Sequence, residues 1–185
     1  MRKNYISGIV IFISLITFYS CKTTSKTHKE IKQPSKIANE EEIKKNNFYL
    51  NASQKLGYNL AGDEDTKFIS NAVDWIGVPY KYGGCTKEGT DCSCFVITFF
   101  KEVYGINLPR KSEDMLAKTN IIERENLKIG DLLFFKISGD KVSHVAIYIS
   151  KGNFIHATTS KGVMVNNLDE NYYKKYFFKA GRIVY

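Results

Sequence analysis

The sequence predicts one α+β domain, and two patterns support this class. Apolar residues recur at helical spacing in the first half of residues 62–185, whereas the second half contains short apolar runs bounded by turn residues. A chain of 185 residues, with 43% hydrophobic residues and 3 Pro, has room for one core and a tail. We therefore expect N-terminal helices packed on an antiparallel sheet.

Residues 1–20 have the layout of a bacterial signal peptide. A basic start is followed by an apolar run from Ile6 to Phe18, which is shorter than the roughly 20 residues of a membrane-spanning helix. The run ends at Thr17-Phe18-Tyr19-Ser20-Cys21, which resembles a lipoprotein cleavage box, and we expect lipidation at Cys21. The alternative is an ordinary secretory signal that leaves a free or disulfide-bonded thiol. Lipidation predicts anchoring in the bacterial cell envelope, on the outer membrane facing the periplasm.

Residues 21–61 are predicted to be a flexible polar linker, with only part of Phe48–Leu60 packing on the domain. Lys, Thr, Ser, Asn and Glu dominate this segment, and its sparse apolar residues cannot bury a core. Residues 1–61 carry 10 Lys+Arg against 4 Asp+Glu, whereas residues 62–185 carry 17 against 15. The net charge of +8 therefore belongs mainly to the leader and linker. This distribution argues against nucleic-acid binding and favours weak tethering to an anionic envelope surface.

Two helices are predicted at the start of the domain. The first spans residues 66–76 and has Asp65 or Thr66 as its cap. A glycine-rich loop follows, and apolar spacing from Cys92 to Gly105 predicts a second, buried helix. Cys92 then stands at a first turn, where N–H groups and the helix dipole favour the thiolate. A cysteine there is more often a small buried residue than a nucleophile, so the catalytic interpretation needs a base.

Three strands are predicted in the second half of the domain. Residues 131–137 form a buried strand, and residues 143–149 and 154–158 form a hairpin. The hairpin carries His144 and His156, which are the domain's only histidines. Taken singly, each could be a surface or core imidazole without a function.

The register of the hairpin decides whether the histidines meet. A three-residue turn at residues 151–153 pairs Tyr148 with His156, on the same face as His144. In that register, direct contact between the histidines requires a bulge or a shift. Together with Cys92, they form the Cys–His–polar set of nucleophilic catalysis.

Five motifs in sequential order resemble the NlpC-type murein peptidases, a family of papain-like cysteine peptidases. They are Tyr80-Lys81-Tyr82-Gly83-Gly84, Asp91-Cys92-Ser93, Leu108-Pro109-Arg110-Lys111-Ser112, Gly130-Asp131-Leu132-Leu133-Phe134-Phe135 and Ser143-His144-Val145-Ala146-Ile147-Tyr148. The likeness extends over residues 64–184. It implies a papain-like fold, with the catalytic cysteine at a helix start and the histidines on an antiparallel sheet.

The resemblance also implies a function and a role for each motif residue. It implies a monomeric peptidoglycan hydrolase without a cofactor or metal, which cleaves amide bonds in murein stem peptides or crosslinks. Cys92 resembles the nucleophile, His144 the base and His156 the residue that orients the base. Tyr82 resembles the tyrosine near the oxyanion site. The positions where family members contact the substrate are Asp91, Ser93, Arg110 and Ser112.

The chain departs from the family at Cys94, where glycine is usual. We hypothesise a disulfide between Cys85 and Cys94 that leaves Cys92 free, and non-reducing mass spectrometry would test it. A zinc site is disfavoured because one residue separates Cys92 from Cys94 and eleven separate the histidines. Two further functions stay open: a catalytically silent envelope-binding lipoprotein, and an amidase or acyltransferase on the same scaffold.

Overall fold

The computed structural model describes residues 36–184, so the predictions for the signal peptide and Cys21 lie outside the described residues. The helices are α1 (Lys36–Leu56), α2 (Thr66–Trp75), α3 (Cys92–Tyr104), α4 (Ser112–Ala117) and α5 (Asn171–Tyr176), with a 3-10 turn at Arg124–Asn126. The strands are β1 (Cys85–Thr86), β2 (Gly89–Thr90), β3 (Thr119–Ile122), β4 (Leu132–Phe135), β5 (His144–Ser150), β6 (Asn153–Thr158), β7 (Gly162–Asn167) and β8 (Phe177–Ile183).

A six-stranded sheet in the order β3-β8-β4-β5-β6-β7 organises the domain, and every neighbouring pair is antiparallel. Side chains alternate across each strand and bury both faces. Val145 and Ile147 join the core cluster that includes α2 and α3, whereas Ala146 joins a second cluster that includes Tyr173 of α5. The predicted α+β fold is confirmed.

Short polar caps set the beginnings of α2 and α3. The Asp65 carboxylate accepts the N–H of Phe68 at 2.7 Å, and the Asp91 carboxylate accepts the N–H of Cys94 at 2.8 Å. Each bond satisfies a donor that a first helical turn otherwise leaves unpaired. At its other end, α3 stops at Gly105, whose φ of +73° suits glycine. Cys92 is therefore the first residue of a capped and buried helix.

Helix α1 corrects the prediction of a flexible linker for residues 36–56 only, because residues 21–35 lie outside the described residues and part of Phe48–Leu60 is expected to pack on the domain. Residues 36–56 are helical, and Tyr49, Ala52 and Leu56 are buried. Their spacing of three and four residues places them on one helical face, so a few apolar residues in a polar segment suffice to dock the helix. The domain thus begins earlier than residue 62. No described helix has the length and apolar character needed to cross a membrane.

A carboxylate network ties the segment after α1 to the sheet. Glu64 accepts the N–H groups of Ala61 and Gly62 at 2.9 and 3.0 Å, and the hydroxyl of Ser150 on β5 at 3.1 Å. Burial raises the pKa of Glu64, but these hydrogen bonds outweigh burial and hold it below the ordinary value. The ionised carboxylate thus fixes the connection between α1 and α2.

The β5–β6 hairpin differs from the predicted register. Its turn is the two-residue Lys151-Gly152, with φ of +52° and +82°, and a bulge follows Tyr148. Tyr148 therefore pairs with Phe154 rather than with His156. The shift carries His156 two residues further along β5, towards His144. Contact between the two histidines requires a bulge or a shifted register, and the hairpin has both.

Candidate active site

Cys92 lies at the floor of a cleft formed by the start of α3 and the start of β5. It is the free cysteine among residues 36–184 and is partly exposed. It lines a cavity of about 580 Å³ together with His144 and His156. The structure therefore brings together the three residues that the sequence proposed for catalysis.

The two histidines form a direct hydrogen bond, with 2.7 Å between His144 Nε2 and His156 Nδ1. His156 is only 1% exposed, and its ring packs edge-on against Phe154 and Tyr173. Burial, and for His144 also the neighbouring histidine, lowers the pKa of His144 to about 3 and of His156 to about 4. Both rings are therefore neutral at physiological pH, as a general base must be before it accepts a proton.

The N–H groups at the start of α3 favour the thiolate form of Cys92, as expected, but burial outweighs them. Burial raises its pKa, and the Asp91 carboxylate adds to the increase. The N–H groups of Val145, Ser93 and Cys92 itself act in the opposite direction without cancelling burial. A thiol with a raised pKa thus shares the cavity with the neutral imidazole of His144.

A polar chain that sequence reasoning missed continues beyond His156. His156 Nε2 lies 2.9 Å from Asn166 Oδ1 on β7 and 3.3 Å from the Tyr173 hydroxyl on α5. The Asn166 amide nitrogen lies 3.0 and 2.9 Å from the two carboxylate oxygens of Glu170. The sequence signal was a short apolar run, Val163 to Val165, closed by Asn166 and Asn167 and followed three residues later by Glu170, but no strand is predicted there from the sequence.

A second cavity, of about 520 Å³, also includes Cys92 in its lining. Cys92, Tyr80 and Ser143 line both cavities. The second cavity contains all of the side chains that the sequence assigned to oxyanion or substrate contact: Tyr82, Asp91, Ser93, Arg110 and Ser112. Cys92 is thus shared by the cavity that holds the two histidines and the cavity that holds the predicted substrate-contact residues.

Asp91 is occupied by contacts within the protein. Its carboxylate accepts the N–H of Gly83 at 3.0 Å and the hydroxyl of Ser93 at 3.1 Å, and it forms an ion pair with Arg110. Burial raises its pKa, but the Arg110 contact and the backbone donor of Cys94 outweigh burial and lower it. Asp91 therefore caps α3 and holds Arg110 at the cavity wall.

The NlpC/P60 family model matches residues 77–182, which include both histidine strands and Cys92. The chain belongs to the NlpC/P60 family. The resemblance found in the sequence is thereby confirmed, and the whole cleft lies within the matched residues.

Relatives of this NlpC/P60 domain include two proteins of Escherichia coli K12. The murein DD-endopeptidase MepS/murein LD-carboxypeptidase is 40% identical over 137 residues, which cover 73% of this chain and 72% of the relative. The probable endopeptidase NlpC is 44% identical over 110 residues, covering 59% and 71% respectively. The crystal structure of an NlpC/P60 family protein from Bacillus cereus ATCC 10987 superposes with a TM-score of 0.60 at 32% identity, covering 64% of this chain and 40% of that one.

Tyr80 of this NlpC/P60 domain lines both cavities with Cys92, whereas Tyr82, the residue predicted near the oxyanion site, does not. The side chain of Tyr82 is 91% exposed and lines only the second cavity. Burial raises the pKa of Tyr80, and the Asp91 carboxylate adds to the increase. Two tyrosines separated by one residue fit the same motif, and they differ in exposure.

Cys85 and Cys94 form a disulfide, with 4.9 Å between their Cα atoms. Cys94 is fully buried in α3, so the bond ties the loop before Cys92 to the helix that Cys92 begins. Within residues 36–184, no three His, Cys, Asp or Glu side chains cluster in a way that could hold a metal ion.

Proposed function

We propose that this NlpC/P60 protein is a peptidoglycan peptidase that cleaves amide bonds in murein stem peptides or crosslinks. The observation that carries the proposal is the free Cys92 in one cavity with the hydrogen-bonded pair His144 and His156. The relatives support the substrate class, because one of them is named a murein DD-endopeptidase. Catalysis uses Cys92 as nucleophile, His144 as base and His156 as the residue that orients the base.

Acylation begins when the substrate displaces water from the cleft. The thiol proton of Cys92 moves to the free ring nitrogen of His144 as the sulfur attacks the amide carbonyl carbon. Backbone N–H groups at the first turn of α3 stabilise the oxyanion that forms on the carbonyl oxygen. The C–N bond then breaks, His144 returns the proton to the departing amine, and a thioester remains on the sulfur.

Deacylation runs the same groups in reverse. Water enters from the vacated side of the cleft, and His144 removes its proton as the oxygen attacks the thioester carbon. The C–S bond breaks, and the Cys92 sulfur leaves with the proton held by His144. Since both groups start and finish neutral, the cycle restores the resting site.

The test compares release of soluble muropeptides from purified peptidoglycan by the wild type and by Cys92→Ala. We expect Cys92→Ala to reduce release by at least about 10³-fold, because nucleophile and base act as a unit. The exposed residue Glu125, outside the cleft, supplies a matched control, and Glu125→Ala should match the wild type. Thermal unfolding of all three proteins shows that the fold is retained.

The products distinguish a peptidase from a silent binding protein and from an acyltransferase. Mass spectrometry of the muropeptides identifies the cleaved bond by its new amine and carboxyl termini. Binding without release by the wild type would instead establish a silent binding protein. Transfer of the acyl group to an added amine, without hydrolysis, would establish an acyltransferase.

We propose in addition that the protein is a lipoprotein of the cell envelope, anchored through Cys21. The basic start, the short apolar run and the cysteine at its end support this proposal. Multiple acyl chains bury many methylenes, at about 0.8 kcal/mol each, and hold a domain firmly at a bilayer. Cells labelled with radioactive palmitate should mark the wild type but not Cys21→Ala, and the variant should leave the membrane fraction. Label on both proteins would contradict the anchor.

A further inference from the structure

We infer that Asn166 and Glu170 are positioning residues that set the tautomers of His156 and His144, leaving His144 Nδ1 as the bare nitrogen of the base. The inference rests on the proposed function for its consequence, although not for its geometry. Neither residue contacts the reacting atoms. They act through a chain of hydrogen bonds that has only one consistent direction.

The chain begins at Glu170, whose carboxylate oxygens accept hydrogen bonds. Its oxygens lie 3.0 and 2.9 Å from Asn166 Nδ2, and one also accepts the N–H of Asn167 at 2.7 Å. The side-chain amide of Asn166 must therefore turn its NH₂ group to Glu170. The opposite orientation would place the Asn166 oxygen against the carboxylate, with no proton between them.

The orientation of Asn166 decides the proton on His156. Asn166 Oδ1 faces His156 Nε2 at 2.9 Å and also accepts the Tyr173 hydroxyl at 3.2 Å. An amide oxygen has no proton to offer, so His156 Nε2 must carry the hydrogen. The Tyr173 oxygen, 3.3 Å from Nε2, is compatible because its own proton is directed to Asn166. In the neutral ring, Nδ1 of His156 is then bare.

The bare Nδ1 of His156 sets the last link. It lies 2.7 Å from His144 Nε2, which must therefore be the protonated nitrogen of that ring. Because His144 is neutral, its Nδ1 has a free lone pair. This is the nitrogen left to take the proton from Cys92, with which His144 shares the cavity. A reversed chain would protonate Nδ1 and remove the base.

Three variants test the chain. Asn166→Ala removes the acceptor for His156, and Glu170→Ala removes the group that orients Asn166. Glu170→Gln keeps the size of the side chain but introduces an NH₂ group that can donate to Asn166 Oδ1, so the Asn166 amide is no longer held in one orientation. We expect kcat on a soluble muropeptide to fall roughly 100-fold in Asn166→Ala and roughly 10-fold in both Glu170→Ala and Glu170→Gln, with KM within about 2-fold.

Matched controls come from exposed residues of the same types outside the cleft. Asn120→Ala and Glu125→Ala remove an amide and a carboxylate from the surface, and both should keep wild-type kcat. Thermal unfolding of every variant identifies any loss of fold.

The second readout is the histidine tautomers, measured from imidazole ¹⁵N shifts and long-range ¹⁵N–¹H couplings at neutral pH. The full chain with His28→Gln leaves only the signals of His144 and His156. We expect both rings to be protonated at Nε2 in this background. Addition of Asn166→Ala, Glu170→Ala or Glu170→Gln should introduce the Nδ1–H form, because each removes an acceptor that fixes the chain of hydrogen bonds.

The two readouts separate this inference from the proposed function. A wild type that shows both Nε2–H rings but releases no muropeptide would refute the peptidase while leaving the tautomer chain intact. An Nδ1–H ring at either histidine of the wild type would overturn the inference, whatever the activity. Wild-type kcat and unchanged tautomers in both alanine variants would overturn it as well.

Discussion

Tyr80 and Tyr82 are separated by one residue, and they have different environments. Tyr80 lines both cavities with Cys92, whereas Tyr82 is 91% exposed. We expect Tyr80→Phe to lower kcat at least about tenfold, because it removes a hydroxyl from a residue that lines both cavities with Cys92. Tyr82→Phe should remain within about twofold. Steady-state kinetics on one soluble muropeptide gives the comparison, and equal losses would contradict the assignment to Tyr80.

At this scale, residue chemistry made the catalytic set predictable. The sequence offers few imidazoles and thiols, and Cys92, His144 and His156 each occupy a recognisable position at the start of a helix or within a strand. Asn166 and Glu170 were not predictable, because amides and carboxylates are common in the chain. Their importance comes from the pairing of β6 with β7, which places Met164 opposite His156 and Asn166 two residues further along.

Helix α1 has a leucine on its buried face and another on its exposed face, and the two should contribute differently to stability. Leu56 is 4% exposed and Leu50 is 59% exposed. We expect Leu56→Ala to lower the free energy of unfolding by about 2–4 kcal/mol, because it leaves a cavity in the core. Leu50→Ala should change it by less than about 0.5 kcal/mol. Urea denaturation measures both, and an unaffected Leu56→Ala protein would mean that α1 does not dock.

Elements with a continuous apolar pattern were predictable, and partly buried ones were not. Helices α2 and α3 and strands β4 to β6 are mostly buried, so hydrophobicity alone marks them. Strand β3 has exposed residues at both of its central positions, and β8 begins with three residues that are not buried. Such strands form because they pair with neighbouring strands and not because of their own apolar pattern. A single sequence does not reveal that pairing.

At the scale of the whole molecule, the buried histidine pair makes the stability of the fold depend on pH. The pKa values of about 3 for His144 and about 4 for His156 lie below the ordinary value of 6.5. The unfolded chain therefore binds protons at these two histidines more readily than the folded protein does. The stability associated with burying them in the neutral form is complete above pH 6.5 and is lost as pH falls towards 4.

We expect the free energy of unfolding to fall by about 1 kcal/mol for each histidine between pH 7.5 and 5.5. The carboxylates of Asp91 and Glu64, whose pKa values lie below their ordinary acidic values, contribute only at lower pH. Urea denaturation at both pH values measures the change, and a double variant, His144→Gln with His156→Gln, should lose most of it. An equal decrease in the double variant would place the effect elsewhere.

The turn Lys151-Gly152 lies at the far end of the hairpin from His144. Its length nevertheless sets the register of the strand that carries His156. A one-residue insertion there would send His156 to the opposite face of the sheet and bring a neighbour to His144 in its place. A surface turn ordinarily tolerates changes in length. The length of this turn is constrained because it determines whether His156 can contact His144. Insertions that are harmless in other exposed loops should therefore be absent from active members of the family at this position.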